Sequence, residues 1–198
     1  ERPRSDAAVG RTRPPFVEKV RQKHTDKRVE VWFQDEARIG QQGTLTRVWG
    51  ERGSRPRAVK QTEYKWGYIF GAVNPETGAS SALISPTVNT ELMSAHLRMI
   101  AEEAGAAVHV VLVLDGAGWH VSKSLRVPSS MTLLFLPPYS PELMPMERVW
   151  AWMRQHTLSN RVFADEEAID AAVAESWNTL TPTRLQSITA TSWITHEN

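Results

Sequence analysis

The chain has 198 residues, 41% hydrophobic and 23% charged, with a net charge of +1. That is the composition of one ordinary globular domain, and the charge sum alone identifies no polyanion partner. The absence of cysteine excludes disulfides, thiolate metal sites and cysteine nucleophiles, and no apolar run approaches the roughly 18 residues of a membrane span, so the expectation is a soluble intracellular protein with no membrane partner.

Residues 1–27 begin as an Arg-, Pro- and Gly-containing arm and then carry Phe16, Val20 and Lys23 at the spacing of a short helix ending near His24. The basic residues of the arm suit solvent as well as nucleic acid. Residues 28–34 (RVEVWFQ) alternate, with Val29, Val31 and Phe33 on one face and Glu30, Trp32 and Gln34 on the other, which predicts a strand. The strand is expected to end at Asp35-Glu36. Alternation puts Asp35 on the face of Val31 and Phe33 and turns Glu36 the other way.

Residues 37–60 then read as a long connection in which Arg38, Arg47, Arg52, Arg55, Arg57 and Lys60 are opposed only by Glu51, with Trp49 among them. Loops of that length are uncommon unless functional. Cations around an aromatic suit phosphates and a stacked base, so these residues are the candidate nucleic-acid contacts; a solvated surface loop is the plainer alternative.

Residues 64–73 (YKWGYIFGAV) and 79–84 predict two strands joined by a tight turn through Asn74-Pro75-Glu76-Thr77-Gly78, completing an antiparallel meander. Asn89 or Thr90 can cap a helix running to about Gly105, with Leu92, His96, Met99 and Ile100 inward. Residues 108–114 (VHVVLVL) are apolar without alternation, as in a parallel strand covered on both faces. His109 within it is expected to be a satisfied core residue. The strand stops at Asp115-Gly116, and the carboxyl ends of strands are where open α/β sheets hold ligands; a turn-forming Asp before Gly is the alternative. Residues 119–127 are expected to be a short helix carrying His120 close to Asp115.

The run LLFLPPYSPELMPMERVWAW, from Leu133 to Trp152, starts as a buried strand, breaks at Pro137-Pro138 and enters a helix at Pro145. With Pro145 first in that helix, Glu147 is third, where free N–H groups and the helix dipole favour a carboxylate. A purely capping role would explain that residue equally well. Met146, Val149, Trp150 and Met153 recur at helical spacing, and residues 165–180 predict another helix with Ile169, Ala172, Val173 and Trp177 inward. The expected organisation is an arm over 1–27, one domain over 28–180 and a tail over 181–198 that holds Leu185, Ile188 and Trp193.

These elements make an α/β fold: a mixed five-stranded sheet, an antiparallel meander plus parallel strands, flanked by helices. The strands ending at Asp35 and Asp115 can be neighbours in it, and the last helices can bring Glu147 across from them. Three acids on three elements, without cysteine or paired histidine ligands, suit a hard cation bound through oxygen, commonly two Mg²⁺ ions. Glu36, turned to the other face, and Glu142, ahead of the helix, are the lesser candidates.

WFQDEARIG, VLDGAGWH and LPPYSPELMPMERVW, with GTLTRVWGERGSRP between the first two, closely resemble the catalytic domain of DDE transposases, in the bacterial insertion-sequence branch of the mariner superfamily. The likeness runs from about Arg28 to Trp177, and the family's three acids map onto Asp35, Asp115 and Glu147. The last two are 32 positions apart (115 to 147), in keeping with the family's short second spacing. The resemblance implies an RNase H-like fold and two divalent ions, Mg²⁺ or Mn²⁺, held by those acids. It implies cutting of double-stranded DNA at transposon ends by water, and strand transfer by a 3′-hydroxyl into target DNA, usually at TA. A homodimer on DNA and a bacterial, cytoplasmic, nucleoid-associated setting are further implications. His120 resembles the histidine that follows the family's second aspartate and is a candidate DNA contact; an ordinary half-buried histidine is the alternative.

The chain departs from the family in three places. Helix-turn-helix modules usually precede the catalytic domain and are not found here, which predicts a fragment or a truncated copy. Gly116 follows the second aspartate where Asn is usual. Met144 stands where the family has the Asn of an Asn-Pro-x-Glu run, so a capping box is lost and Met144→Asn is expected to stabilise the domain. These departures keep two competing expectations open: a catalytically silent DNA-binding or assembly module, and a nuclease of the same fold that cuts RNA–DNA hybrids.

Overall fold

The alternation that begins at Arg28 organises the molecule, because it continues further than RVEVWFQ. A computed structural model describes residues 15–43, 45–54, 57, 60–137 and 143–190. The arm ahead of residue 15, Arg55, the turn through 138–142 with Glu142, and Trp193 lie outside the described residues. Strand β1 spans Arg28–Gly40, not a segment ending at Asp35. Ala37 and Ile39 stay buried on the face of Phe33, while Arg38 between them is exposed. The first four residues of the expected connection are therefore still strand, and Arg38 belongs to the sheet, with its guanidinium 5.0 Å from the Trp66 ring centre.

Strands β2 (Trp66–Val73) and β3 (Ser80–Ser85) complete the meander, and β4 (Val108–Leu114) and β5 (Met131–Phe135) add to the other side of β1. The sheet order is β3-β2-β1-β4-β5. β1 runs antiparallel to β2, from Phe33↔Val73 to Gly40↔Trp66, and parallel to β4, from Arg28↔Val108 to Phe33↔Val113. Beyond Phe33 it has lost its β4 neighbour and keeps only β2. The mixed five-stranded sheet is the one the element order predicts.

Helices cover both faces, as the all-buried β4 requires. On one side lies α2 (Thr90–Ala104), capped by the Asn89 side chain, which accepts from the Leu92 N–H at 2.9 Å. Its inward residues are Met93, His96, Leu97 and Ile100, packed with Trp32, Phe70 and Leu112; Leu92 and Met99 flank that stripe rather than form it. On the other side α3 (Met146–His156), α4 (Glu166–Asn178) and α5 (Pro182–Thr189) share a core with Phe33, Ile39, Ile69 and Val113, into which Leu185 of α5 is fully buried. Trp177 is half-buried, its ring 6.0 Å from that of Trp150.

Helix α1 (Pro15–Lys23) sets Val17 and Val20 against Val29 and Val111. His24, just after it, stacks on His109 at 3.7 Å, and the His109 Nε2 meets the Thr132 hydroxyl at 2.8 Å. His109 is thus the satisfied core residue expected. The predicted helix over 119–127 does not form; the chain there is turn and bend. Its serines explain why: Ser122 accepts from the Ser124 N–H at 3.3 Å and bonds its hydroxyl at 2.9 Å, local bonds that compete with helical ones. Among the described residues no helix is long and apolar enough to cross a membrane.

Candidate active site

Asp35 and Asp115 each lie two residues beyond the last paired positions of neighbouring parallel strands, Phe33↔Val113, so both stand where the β1–β4 pairing opens. Asp35 faces the helices α3–α5, and its partner across β2 is Gly71. A Cβ on Gly71 would collide with the ring of Trp150 and with Met146. The glycine lets that indole lie flat on the sheet, and from there its Nε1 donates to Asp35 Oδ2 at 2.9 Å. Burial pushes the Asp35 carboxyl up, to about 7; the Trp150 bond lowers it only in part, and the charges of Glu36 and Glu147 raise it further.

Glu147 is in the first turn of α3, exposed, with Met146 and Trp150 of the same helix anchored beneath it. Pro145 already has helical dihedrals (φ −66, ψ −19), and the helix start has no side-chain cap. Glu147 therefore approaches Asp35 from across the sheet, close enough for its charge to act there.

Asp115 is open to solvent, with its side chain 58% exposed. Its Oδ1 accepts from the Ala117 N–H at 3.0 Å and lies 2.8 Å from His120 Nδ1, while no described group bonds its Oδ2. The other nitrogen of His120 reaches Glu36 Oε1 at 3.0 Å. Glu36 does face away from Asp35's side, as alternation requires, but it is tied to Asp115 through this ring. Burial disfavours charge on His120, yet the bond and charge of Glu36, then those of Asp115, outweigh it and hold the imidazole above its ordinary value. His120 is only 2% exposed and both its nitrogens are engaged inside the protein. Both ring nitrogens of this candidate DNA contact are thus occupied by protein groups.

The sequence profile of the DDE superfamily endonucleases matches residues 30–170. The chain belongs to the DDE superfamily endonuclease family. The DDE domain is also 46% identical over 130 residues to the uncharacterized protein y4pE/y4sA of Sinorhizobium fredii (strain NBRC 101917 / NGR234), covering 65% of this chain and 96% of that protein. In fold it is similar to the Mos1 mariner paired end complex with Mn (TM-score 0.60, 16% identity, 88% of this chain and 56% of that one). It is likewise similar to the Mos1 strand transfer complex (TM-score 0.57, 15% identity, 88% and 54%). The domain thus spans little more than half the length of those chains, and its fold is RNase H-like.

Family membership implies divalent metal, and the donor set of the DDE domain suits it chemically. Asp35, Asp115 and Glu147 offer only carboxylate oxygens, and no described Lys or Arg bonds any of them, so the Asp35 carboxyl, pushed up chiefly by burial, has no described counter-ion. The side chains are not preassembled, however. Among the described residues no three His, Asp or Glu side chains are gathered closely enough to hold an ion as they stand. The charge of Glu147 acts on Asp35, while Asp115 is bonded on the Glu36 side.

The basic segment after β1 is held by the connection between α3 and α4. Gln41 and Gln61 both donate to the Phe163 carbonyl, at 2.9 and 2.8 Å, and Asn160 clasps Thr46. Arg47, Arg52, Arg57 and Lys60 project from this segment into solvent, and Trp49 is fully exposed. Sequence reasoning missed Trp150, Gly71 and the Glu36–His120 pair as parts of the site. A glycine inside a strand is a recognised sign of close approach and could have drawn attention to Gly71; the indole that uses the space comes from a distant element and left no local signal.

Proposed function

We propose that this is the catalytic domain of a bacterial insertion-sequence transposase of the mariner superfamily. It would cut double-stranded DNA at transposon ends and transfer the resulting 3′-hydroxyl end into target DNA, acting as a homodimer. The observation that carries this reading is the half-buried Asp35, with no counter-cation among the described residues, bonded by Trp150 and within the field of Glu147, at the strand opening it shares with Asp115. In this reading Asp35, Asp115 and Glu147 hold two Mg²⁺ or Mn²⁺ ions. When bound, such ions activate an attacking oxygen and stabilise the leaving one.

The protein's own part is to position. Trp150 fixes one oxygen of Asp35, so that the other would be the one to hold a metal ion, and the stiff first turn of α3 presents Glu147. Arg47, Trp49, Arg52, Arg55, Arg57 and Lys60 would hold the DNA through phosphates and one stacked base. In cleavage, a water oxygen bonds to phosphorus as the P–O3′ bond breaks, leaving a 3′-hydroxyl and a 5′-phosphate. In transfer, that hydroxyl oxygen bonds to a target phosphorus in place of water and gives up its proton, as the target's P–O3′ bond breaks and the leaving 3′ oxygen takes up a proton.

A catalytically silent DNA-binding module is the second reading, favoured by the engagement of Asp115 with His120 rather than with the other two acids. Purified protein, supplied with duplex carrying the element's ends and with Mn²⁺ or Mg²⁺, separates the two. The transposase reading expects nicking and joining that Asp35→Asn, Asp115→Asn and Glu147→Gln each reduce at least 100-fold. Metal-independent binding with no cleavage, also when an N-terminal DNA-binding module is fused to the chain, would establish the silent module instead.

A further inference from the structure

We propose that Glu36 and His120 form a strut that fixes the orientation of the Asp115 carboxylate, which makes Glu36 a positioning residue even though it points away from Asp35. This rests on reading Asp115 as one of the metal-holding acids. Asp115 leaves β4 and enters Gly116-Ala117-Gly118, and side chains at Gly116 or Gly118 would meet nothing within 4 Å. Packing at the two glycines therefore does not set the course of this turn. Polar bonds do so instead: the Ala117 N–H to Asp115 Oδ1, the His120 N–H to the Ala117 carbonyl at 2.9 Å, and the His120 ring to both Asp115 Oδ1 and the Asp115 carbonyl, the latter at 3.1 Å.

The ring can do this only if it is itself immobile. Glu36 provides that constraint. Its side chain is 9% exposed, and its Oε1 receives Gln34 Nε2 at 2.9 Å, His120 Nε2 at 3.0 Å and Trp119 Nε1 at 3.3 Å. A buried carboxylate with three donors is a fixed anchor. Trp119 also packs edge-on against the imidazole at 5.8 Å, closing off rotation. β1 thus acts on the site from both faces, directly through Asp35 and indirectly through Glu36, His120 and Asp115. Groups that orient metal-holding side chains from behind typically change metal affinity 10–100-fold when removed.

The test measures Mn²⁺ binding to the purified full chain by the electron paramagnetic resonance signal of the free ion, with thermal melting of each variant alongside. Asp115→Asn is the control for the underlying reading. If it leaves Mn²⁺ binding unchanged, Asp115 is not a metal-holding acid and the strut fails with that reading. If it weakens binding, the strut predicts that Glu36→Leu and His120→Phe each raise the half-saturating Mn²⁺ about 10–100-fold while still melting cooperatively. It also predicts that Glu36→Gln, which keeps an acceptor for His120 but no charge, stays within about threefold of wild type. Loss in Glu36→Gln as large as in Glu36→Leu would show that Glu36 acts only through its field and would overturn the strut. So would half-saturation within twofold of wild type in His120→Phe, a variant that keeps a buried ring and is decisive even if Glu36→Leu does not fold.

Discussion

A carboxylate set between an indole N–H and two other carboxylates is held against its own charge, and Asp35 shows what that does to stability. Its ordinary value of 3.8 is pushed to about 7 in the fold. Below about pH 4 both folded and unfolded chains carry the proton, and the group has no effect. Between 4 and 7 the unfolded chain has ionised while the fold retains the proton, so stability falls as pH rises. Above 7 the full penalty applies, roughly 4 kcal/mol. Asn at this position keeps an acceptor for Trp150 without the charge. Asp35→Asn in EDTA is therefore expected to raise the melting temperature at pH 8 by about 5 °C or more, and by much less at pH 5. Equal effects at the two pH values would mean that the carboxylate is not held protonated. Met144 is decided by magnitudes in the same way. By sequence a lost cap, it is 6% exposed in the core shared with Met146 and Val149. Asn would gain about 0.5–2 kcal/mol of capping but lose buried volume of the kind worth about 2–5 kcal/mol. Met144→Asn is expected to destabilise by about 1–3 kcal/mol, read as a lower urea midpoint, which reverses the expectation from the family pattern.

Between elements, the contact that matters most for the site is α3 lying on β2 at Gly71. Gly71→Ala would drive a methyl group into Trp150 and Met146, and overpacking of this kind costs about 1–3 kcal/mol. It would also move the indole away from Asp35 and lift the end of α3 that carries Glu147. The expected outcome is a lower urea midpoint together with weaker Mn²⁺ binding. Normal metal binding in a destabilised variant would separate the packing role from the site. The same scale shows what is legible in the sequence. The strands of the meander and the all-buried β4 follow from periodicity, because side-chain burial on a sheet repeats with the chain. The full extent of β1 is hidden by Asp35-Glu36, where two charges interrupt an alternation that resumes with Ala37 and Ile39. The inward stripe of α2 is rotated from the expected one because Met93 and Leu97, not Leu92 and Met99, complete it beside His96 and Ile100; four apolar residues so spaced allow either choice.

For the molecule as a whole, the three candidate acids stand out in the sequence because each interrupts an apolar pattern, whereas the connections among them depend on which distant elements touch. Trp150 to Asp35 joins α3 to β1, and Glu36 to His120 joins β1 to the turn after β4; neither leaves a trace in local sequence. The basic segment after β1 lies between these cases. Its composition is visible in the sequence, but its anchoring through Gln41, Thr46 and Gln61 to the α3–α4 connection is not. That anchoring bears on how it would work, since a segment tied at Thr46 and Gln61 presents Trp49 and the arginines between two fixed points rather than on a free loop. Trp49 is fully exposed and contributes no burial to the fold. Trp49→Ala is expected to leave the melting temperature within about 1 °C, consistent with the small effects of surface substitutions. If the indole stacks on a base, DNA binding should weaken by roughly 1–3 kcal/mol, about 5- to 150-fold, with little change in salt dependence. Arg52→Ala and Arg57→Ala should instead flatten the dependence of affinity on salt, by close to one phosphate contact each. Fluorescence anisotropy on a labelled duplex across a salt series reads both quantities. An unchanged affinity in Trp49→Ala, with unchanged salt slopes in the arginine variants, would remove this segment from the DNA-binding surface and leave the exposed indole without a nucleic-acid role.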